Sequence, residues 1–317
     1  MNKKISKFCL GTWSLGGTNK GASSYGKIDK KRVIQILNNS YENGINTFDT
    51  ASVYGNSEKI LGQFIKDKRD KIIVASKVGC SSFFKSLDFK KSSIRKNLNL
   101  SLKNLNTDYI DICQLYNPNP EDKNLFGAIE ILNKFKKEGK IKHIGISLQS
   151  PSDYLKLRKF IKPYMIQCNF NMLDQRLIDQ KILNILKKDN VKIFVRTVLN
   201  FGFFTNKFIN QKKINFKKND HRSRWDKTQI KLWQDYTKKI AKKINLKIED
   251  AAIRFVLGNK NIDTAIIGVM NTTQLKNILN NQNLRVLNLR EIKHIKKIYS
   301  KFENRRLIKP KVPMKSR

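Results

Sequence analysis

A (β/α)8 barrel is the fold this sequence predicts, and three observations predict it. Short apolar, β-branched runs alternate with amphipathic stretches from one end of the chain to the other, the pattern of parallel strands joined by covering helices. Eight such runs can be read, each followed by a helical pattern, and eight crossovers fit a closed barrel better than an open sheet. No Pro-, Gly- or Ser-rich linker divides the 317 residues, so the reading is one α/β domain over 1–317.

The strands are predicted at 8–10, 46–48, 72–76, 109–115, 143–147, 165–168, 192–196 and 264–267. The helical patterns fall at 30–42, 57–66, 92–105, 125–138, 151–160, 177–188, 227–243 with 248–257, and 272–280. Glu42-Asn43-Gly44 and Glu138-Gly139-Lys140 put glycine where a helix takes a left-handed residue before the next strand begins, which marks the N-terminal face of the barrel. An excursion over about 197–225 follows the seventh strand and is read as a lid covering a cofactor, and a basic tail follows Ser300.

Lys and Arg number 65 against 25 Asp and Glu, a net charge of +40. Such an excess attracts phosphates, yet the lysines are spread over nearly every helical stretch, without Arg-aromatic interleaving or a nucleic-acid motif. The expectation is weak adhesion at low salt and no specific nucleic-acid partner. Only Arg305-Arg306-Leu307-Ile308-Lys309-Pro310-Lys311 is dense enough for a local anionic contact, and a solvated terminus is the simpler reading. Cys9, Cys80, Cys113 and Cys168 stand far apart, without a metal-ligand spacing, and read as small buried hydrophobes in a reducing compartment; no metal is expected. The opening apolar run is too brief for a secretory segment and no stretch has the length of a membrane span, so a cytoplasmic protein with no membrane partner is expected.

In a barrel of this kind the residues just after each strand form the working rim. The second strand ends in Phe48-Asp49-Thr50-Ala51-Ser52-Val53-Tyr54-Gly55, the third in Ser76-Lys77-Val78-Gly79, and the fourth in Leu115-Tyr116-Asn117-Pro118. An ammonium beside a phenol favours the phenolate and lowers its pKa, while a carboxylate fixes the ammonium. Asp49, Tyr54 and Lys77 could then make Tyr54 a general acid that protonates a carbonyl oxygen while a reduced nicotinamide delivers hydride. On the residues alone, an ordinary ion pair beside a half-buried tyrosine is the competing account.

The sequence resembles the aldo-keto reductase family along nearly its whole length. The likeness is carried by Leu10-Gly11-Thr12-Trp13 with Gly16-Gly17, by Phe48-Asp49-Thr50-Ala51, and by Tyr54-Gly55-Asn56-Ser57-Glu58 through Gly62. It continues through Gly145-Ile146-Ser147, Gln167-Cys168-Asn169-Phe170-Asn171, Gly202-Phe203-Phe204-Thr205 and Ile267-Gly268 to Gln274-Leu275. The order and spacing of these motifs together make the resemblance specific.

The resemblance implies an NAD(P)-dependent oxidoreductase acting on a small carbonyl or alcohol, with Asp49, Tyr54 and Lys77 as three of four catalytic positions. The fourth, usually His, falls on Tyr116, a bulkier neutral hydrogen-bond donor. Three accounts of Tyr116 stand: an altered oxidoreductase, which is carried forward, a changed reaction, or a cofactor-binding sensor with little turnover. Of the three histidines, His143 starts the fifth strand, His294 lies in the C-terminal helix, and His221 is expected to be a solvated residue of the excursion. For the cofactor, the resemblance places Ser147 and Gln167 on the nicotinamide carboxamide, with Leu148 where an Asn is usual. It places Thr12, Arg196, Gly202 and Lys207 along the cofactor, with Gly268, Met270, Gln274 and Asn277 at a helix N-terminus suited to phosphate. NADP(H) is preferred over NAD(H) from the family alone, although Met270 and Gln274 stand where relatives often carry Arg or Lys. Trp13 and Asn117 are assigned to the substrate pocket, with Trp13 either a wall of the site or part of the core.

Overall fold

Alternation along each strand decides what fills the barrel and what faces the helices. The computed structural model describes residues 3–17, 24–179 and 181–303, and at 282 and 283 the backbone alone. Its parallel strands β1 (Phe8–Gly11), β2 (Thr47–Asp49), β3 (Ile73–Val78), β4 (Ile110–Tyr116), β5 (Ile141–Ser147), β6 (Met165–Asn169), β7 (Lys192–Arg196) and β8 (Thr264–Ile267) pair in sequence order, and β8 closes on β1. Cys9, Ile73, Ala75, Ile112, Met165, Phe194 and Ile266 point inward and form a separate apolar plug. Their strand neighbours, among them Leu10, Val74, Cys113, Ile166, Val195 and Ile267, face outward into the larger core shared with the helices. The plug fills the lower barrel, so residues two steps further along the same strands must stack above it: Lys77 over Ala75, Gln114 over Ile112, Gln167 over Met165 and Arg196 over Phe194.

The helices α1 (Lys30–Glu42), α2 (Ser57–Ile65), α3 (Lys91–Leu105), α4 (Leu125–Lys137), α5 (Asp153–Leu157), α6 (Arg176–Asp179), α7 (Ile182–Lys188), α8 (Asn206–Ile209), α9 (Lys227–Ala241), α10 (Ile248–Leu257), α11 (Thr272–Leu279) and α12 (Leu289–Glu303) follow the predicted order. Gly44 and Gly139 take the left-handed backbone foreseen for them, at φ 83° and 74°. Two helices differ from the sequence reading. The stretch 151–160 is helical only over α5 and gives way to turns ahead of Pro163, and 177–188 breaks at Lys181, whose φ of 55° no continuous helix accommodates. The strand at 72–76 shifts to Ile73–Val78, which puts Lys77 inside β3. Helix α12 continues past Ser300 to Glu303, and the dense basic run 305–311 lies outside the described residues. Among the described residues no helix is long and apolar enough to cross a membrane, and no cluster of side chains could hold a metal ion. All four cysteines are buried free thiols.

The excursion after β7 is ordered. Phe203 is fully buried and packs against Phe208, Trp225 and Trp233, so the segment carries an aromatic core of its own.

Candidate active site

The upper layer of inward residues is polar, and it converges on Asp49. Lys77 Nζ donates to Asp49 Oδ1 at 2.6 Å and to the Thr50 carbonyl at 2.9 Å. The other carboxylate oxygen accepts Gln167 Nε2 at 2.7 Å and Gln114 Nε2 at 3.2 Å. Both charges are removed from water, Lys77 at 2% and Asp49 at 4% exposure, and the bonds to the Thr50 carbonyl and from the two amides help to offset the cost of burying the pair.

Tyr54 sits beside this pair, its ring centroid 5.0 Å from Lys77 Nζ, within the range of a cation over an aromatic face. A close backbone approach places it. Gly16 packs against the turn that carries Tyr54 so tightly that a Cβ at Gly16 would lie 1.6 Å from the Tyr54 carbonyl oxygen, and the Asn56 N–H donates to the Gly16 carbonyl at 2.9 Å. A buried chain of hydroxyls from Thr12 through Ser57 to Thr50 secures the same loop, and Thr12 Oγ1 donates to the Asp49 carbonyl. Ala51, Val53, Cys80, Phe83 and Tyr116 surround Tyr54, and Trp13 packs against the group.

This enclosure changes the proton chemistry expected from sequence. The Lys77 ammonium is expected to lower the Tyr54 pKa, but burial raises it above the ordinary 10, and the Asp49 carboxylate adds to the rise. Arg196 and a side-chain hydrogen bond with Tyr116 act in the opposite direction and do not offset it. Burial likewise pushes the Tyr116 phenol well above its ordinary value. At neutral pH both phenols therefore keep their protons.

Along the next rim positions, Ser147 Oγ donates to Asn117 Oδ1 at 3.0 Å and accepts from Arg196 at 3.2 Å. The Arg196 guanidinium also donates to the Gln167 and Leu148 carbonyls, which ties β5, β6 and β7 together. Leu148 is fully buried in the outer core, so its side chain takes no part in the site. Beyond β7, Thr197, Asn200, Phe201 and Gly202 all have left-handed backbone, and Asn200 Nδ2 is a buried donor without a partner among the described residues. Lys207 is exposed in α8. Past β8, Gly268 is exposed, Asn271 caps α11 by accepting the Gln274 N–H, and Gln274 Oε1 accepts the Met270 N–H at 2.8 Å. Asn277 is exposed, with its carbonyl accepting from Asn281.

Comparisons with known proteins identify the family and the fold. A family model described as the Aldo/keto reductase family matches residues 7–300. The chain belongs to that family. It is accordingly an NAD(P)-dependent oxidoreductase with the (β/α)8 fold. The aldo-keto reductase YhdN of Bacillus subtilis is 28% identical over 293 residues, covering 86% of this chain and 84% of that protein. An NADH-specific methylglyoxal reductase of Escherichia coli is 29% identical over 218 residues, covering 63% of this chain and 66% of that one. Among solved structures, the glycerol dehydrogenase of Gluconobacter oxydans superposes with a TM-score of 0.77 at 26% identity, covering 95% of this chain and 94% of that chain.

The rim of this aldo-keto reductase fits an anionic dinucleotide. A half-buried guanidinium at Arg196, an unpaired buried amide donor at Asn200 and an exposed ammonium at Lys207 follow one another along the loop after β7. The structure brings Asp49, Tyr54, Lys77, Tyr116 and Trp13 into one cluster and joins Asn117, Ser147, Gln167 and Arg196 to its edge. Gln274 is folded back on Met270, and Gln167 has spent an amide N–H on Asp49. Gln114 escaped the sequence reading although it stands two residues before Tyr116 in the same inward column, so alternation alone could have found it. His221 is the larger departure. It is buried at 6% exposure against Trp13 and not solvated, because the excursion folds back over the loop after β1.

Proposed function

We propose that the protein reduces small carbonyl compounds, and oxidises the matching alcohols, with Tyr54 as the proton donor to the carbonyl oxygen. The observation that carries this reading is the Lys77 ammonium, clamped by Asp49 at 2.6 Å and set 5.0 Å from the Tyr54 ring, at the C-terminal rim of the barrel. When bound, the nicotinamide supplies the hydride. Tyr54 holds the proton until the oxygen becomes basic, and the nearby ammonium then stabilises the phenolate left behind. Tyr116 offers a second neutral hydroxyl to the same oxygen in place of an imidazole. Ala51, Val53 and Phe83 keep water from the phenol, which strengthens each of these interactions.

The residues proposed to hold the cofactor are Thr12, Ser147, Gln167, Arg196, Gly202, Lys207, Gly268, Met270, Gln274 and Asn277, joined by Asn200. Gln167 and Gln274 would exchange their present partners for the ligand. NADP(H) is the proposed form, on the family resemblance alone. Asn117, beside Ser147, supplies a side-chain amide where Leu148 does not. One barrel domain is proposed to carry the whole site, and four reduced thiols fit a cytoplasmic setting.

Steady-state oxidation of NADPH and NADH with methylglyoxal, glyceraldehyde and simple aldehydes tests the proposal. Turnover of at least one carbonyl, faster with NADPH, is the expected result. Tight cofactor binding with no turnover, and none regained in Tyr116→His, would convert the reading to that of a sensor.

A further inference from the structure

Asp49 Oδ2 accepts two amides, and the second comes from a residue with no exposure at all. Gln114 stands directly above Ile112 of the apolar plug and below Tyr116 in one inward column of β4. Because a carboxylate only accepts, the amide nitrogen of Gln114 faces Asp49, and its Oε1 is left buried without a partner among the described residues. An unpaired buried carbonyl oxygen is costly, so what an amide contributes here lies in its nitrogen. The neighbouring strand makes room for it. Gly145 pairs with Gln114 in register, and a Cβ at Gly145 would lie 3.1 Å from Gln114 Cγ and 2.5 Å from Met165 Sδ.

The two amides share the oxygen unequally. Gln167 donates at 2.7 Å and Gln114 at 3.2 Å, the long end of the range for an N–H···O bond, so the bond from Gln114 has room to tighten. When a cofactor is taken up as proposed above, Gln167 exchanges Asp49 for the nicotinamide carboxamide. Lys77 stays on Oδ1, but Oδ2 loses its shorter bond in a site closed to water. A buried carboxylate oxygen stripped of its donors is strongly unfavourable, and the exchange is easy only where one donor remains.

We infer that Gln114 is a positioning residue that keeps Asp49 Oδ2 paired when Gln167 is drawn to the cofactor, and that it thereby sets cofactor affinity from beneath Tyr116. The inference rests on the proposed assignment of Gln167 to the cofactor. Without Gln114, Gln167 becomes the sole amide on Asp49, and withdrawing it leaves Oδ2 bare. Cofactor binding then weakens through Gln167, although Gln114 itself acts only on Asp49.

A double-mutant cycle on NADPH affinity tests this, with Kd read by fluorescence titration and folding checked by circular dichroism. Gln114→Met keeps an unbranched side chain of similar length and removes the amide. It is expected to raise Kd about fivefold or more in the wild-type background and less than about twofold in a Gln167→Leu background, where there is no exchange to oppose. A loss of barrel packing alone would act equally in both backgrounds, and equal factors overturn the inference. If Gln167→Leu raises Kd while Gln114→Met leaves it unchanged, Gln167 keeps its assignment and the role of Gln114 falls. If Gln167→Leu leaves Kd unchanged, the assignment of Gln167 falls and the inference falls with it. Wild-type crystals grown with NADP+ give a second readout that needs no variant. Gln167 turned away from Asp49, with Gln114 Nε2 still on Oδ2, is the expected arrangement. Gln167 still bonded to Asp49, or both amides turned away, would overturn it.

Discussion

Tyr54 keeps its proton because it is buried beside a carboxylate, not because an ammonium has loosened it. The two effects lead to different pH profiles. A phenol whose folded pKa is raised above 10 stays protonated across the neutral range, so the reduction rate should be independent of pH between about 6 and 9. Oxidation needs the phenolate, whose population grows about tenfold per pH unit below the pKa, so its rate should climb over the same interval. Stopped-flow hydride transfer in both directions measures this, and a fall in reduction near pH 7 would reveal a loosened phenol. His221 follows the opposite course. Burial, aided by Arg222 and Arg224 and opposed by Asp220, lowers its pKa from 6.5 to about 3. The unfolded chain therefore binds the extra proton between those values, and its contribution to stability is lost as pH falls from 6.5 towards 3. One proton bound only by the unfolded chain tilts stability by about 1.4 kcal/mol per pH unit. Removing the imidazole should flatten the acid limb of equilibrium unfolding by that slope, and an unchanged limb would show that His221 is not held neutral.

The elements place these side chains through contacts that are short in space and long in sequence. Gly16, after β1, abuts the Tyr54 carbonyl after β2. Gly16→Ala should displace the Tyr54 turn, and a displacement near 1 Å costs about 100-fold in rate, with the barrel intact by circular dichroism. Unchanged kcat in that variant would show that the turn is not held by this contact. The barrel strands and the rim were readable from sequence because alternation is local: Ala75 and Lys77 share a face wherever the strand lies. Helix punctuation was readable at Gly44 and Gly139 for the same reason. The break at Lys181 and the short α5 were not, since the apolar period runs on past both points. The burial of His221 was also hidden, as it depends on a bond to Ser24 almost two hundred positions away. Gln167 was assigned to the site, but its present bond to Asp49 follows from packing across the barrel and not from any motif.

At the scale of the whole molecule the question is whether this aldo-keto reductase turns over or only binds. Its charge does not decide the matter. Sixty-five basic side chains spread along the sequence raise the local concentration of any anion, cofactor and polyanion alike. The decision lies in the polar layer that caps the apolar plug, where a buried, hydrogen-bonded Asp49–Lys77 pair is costly to bury and is placed against a phenol. The most direct test compares wild type with Tyr54→Phe, measuring NADPH affinity by fluorescence titration and carbonyl reduction in the same samples. If Tyr54 is the proton donor, affinity stays within about twofold while kcat drops by about 100-fold or more. Equal kcat in the two proteins would contradict the account.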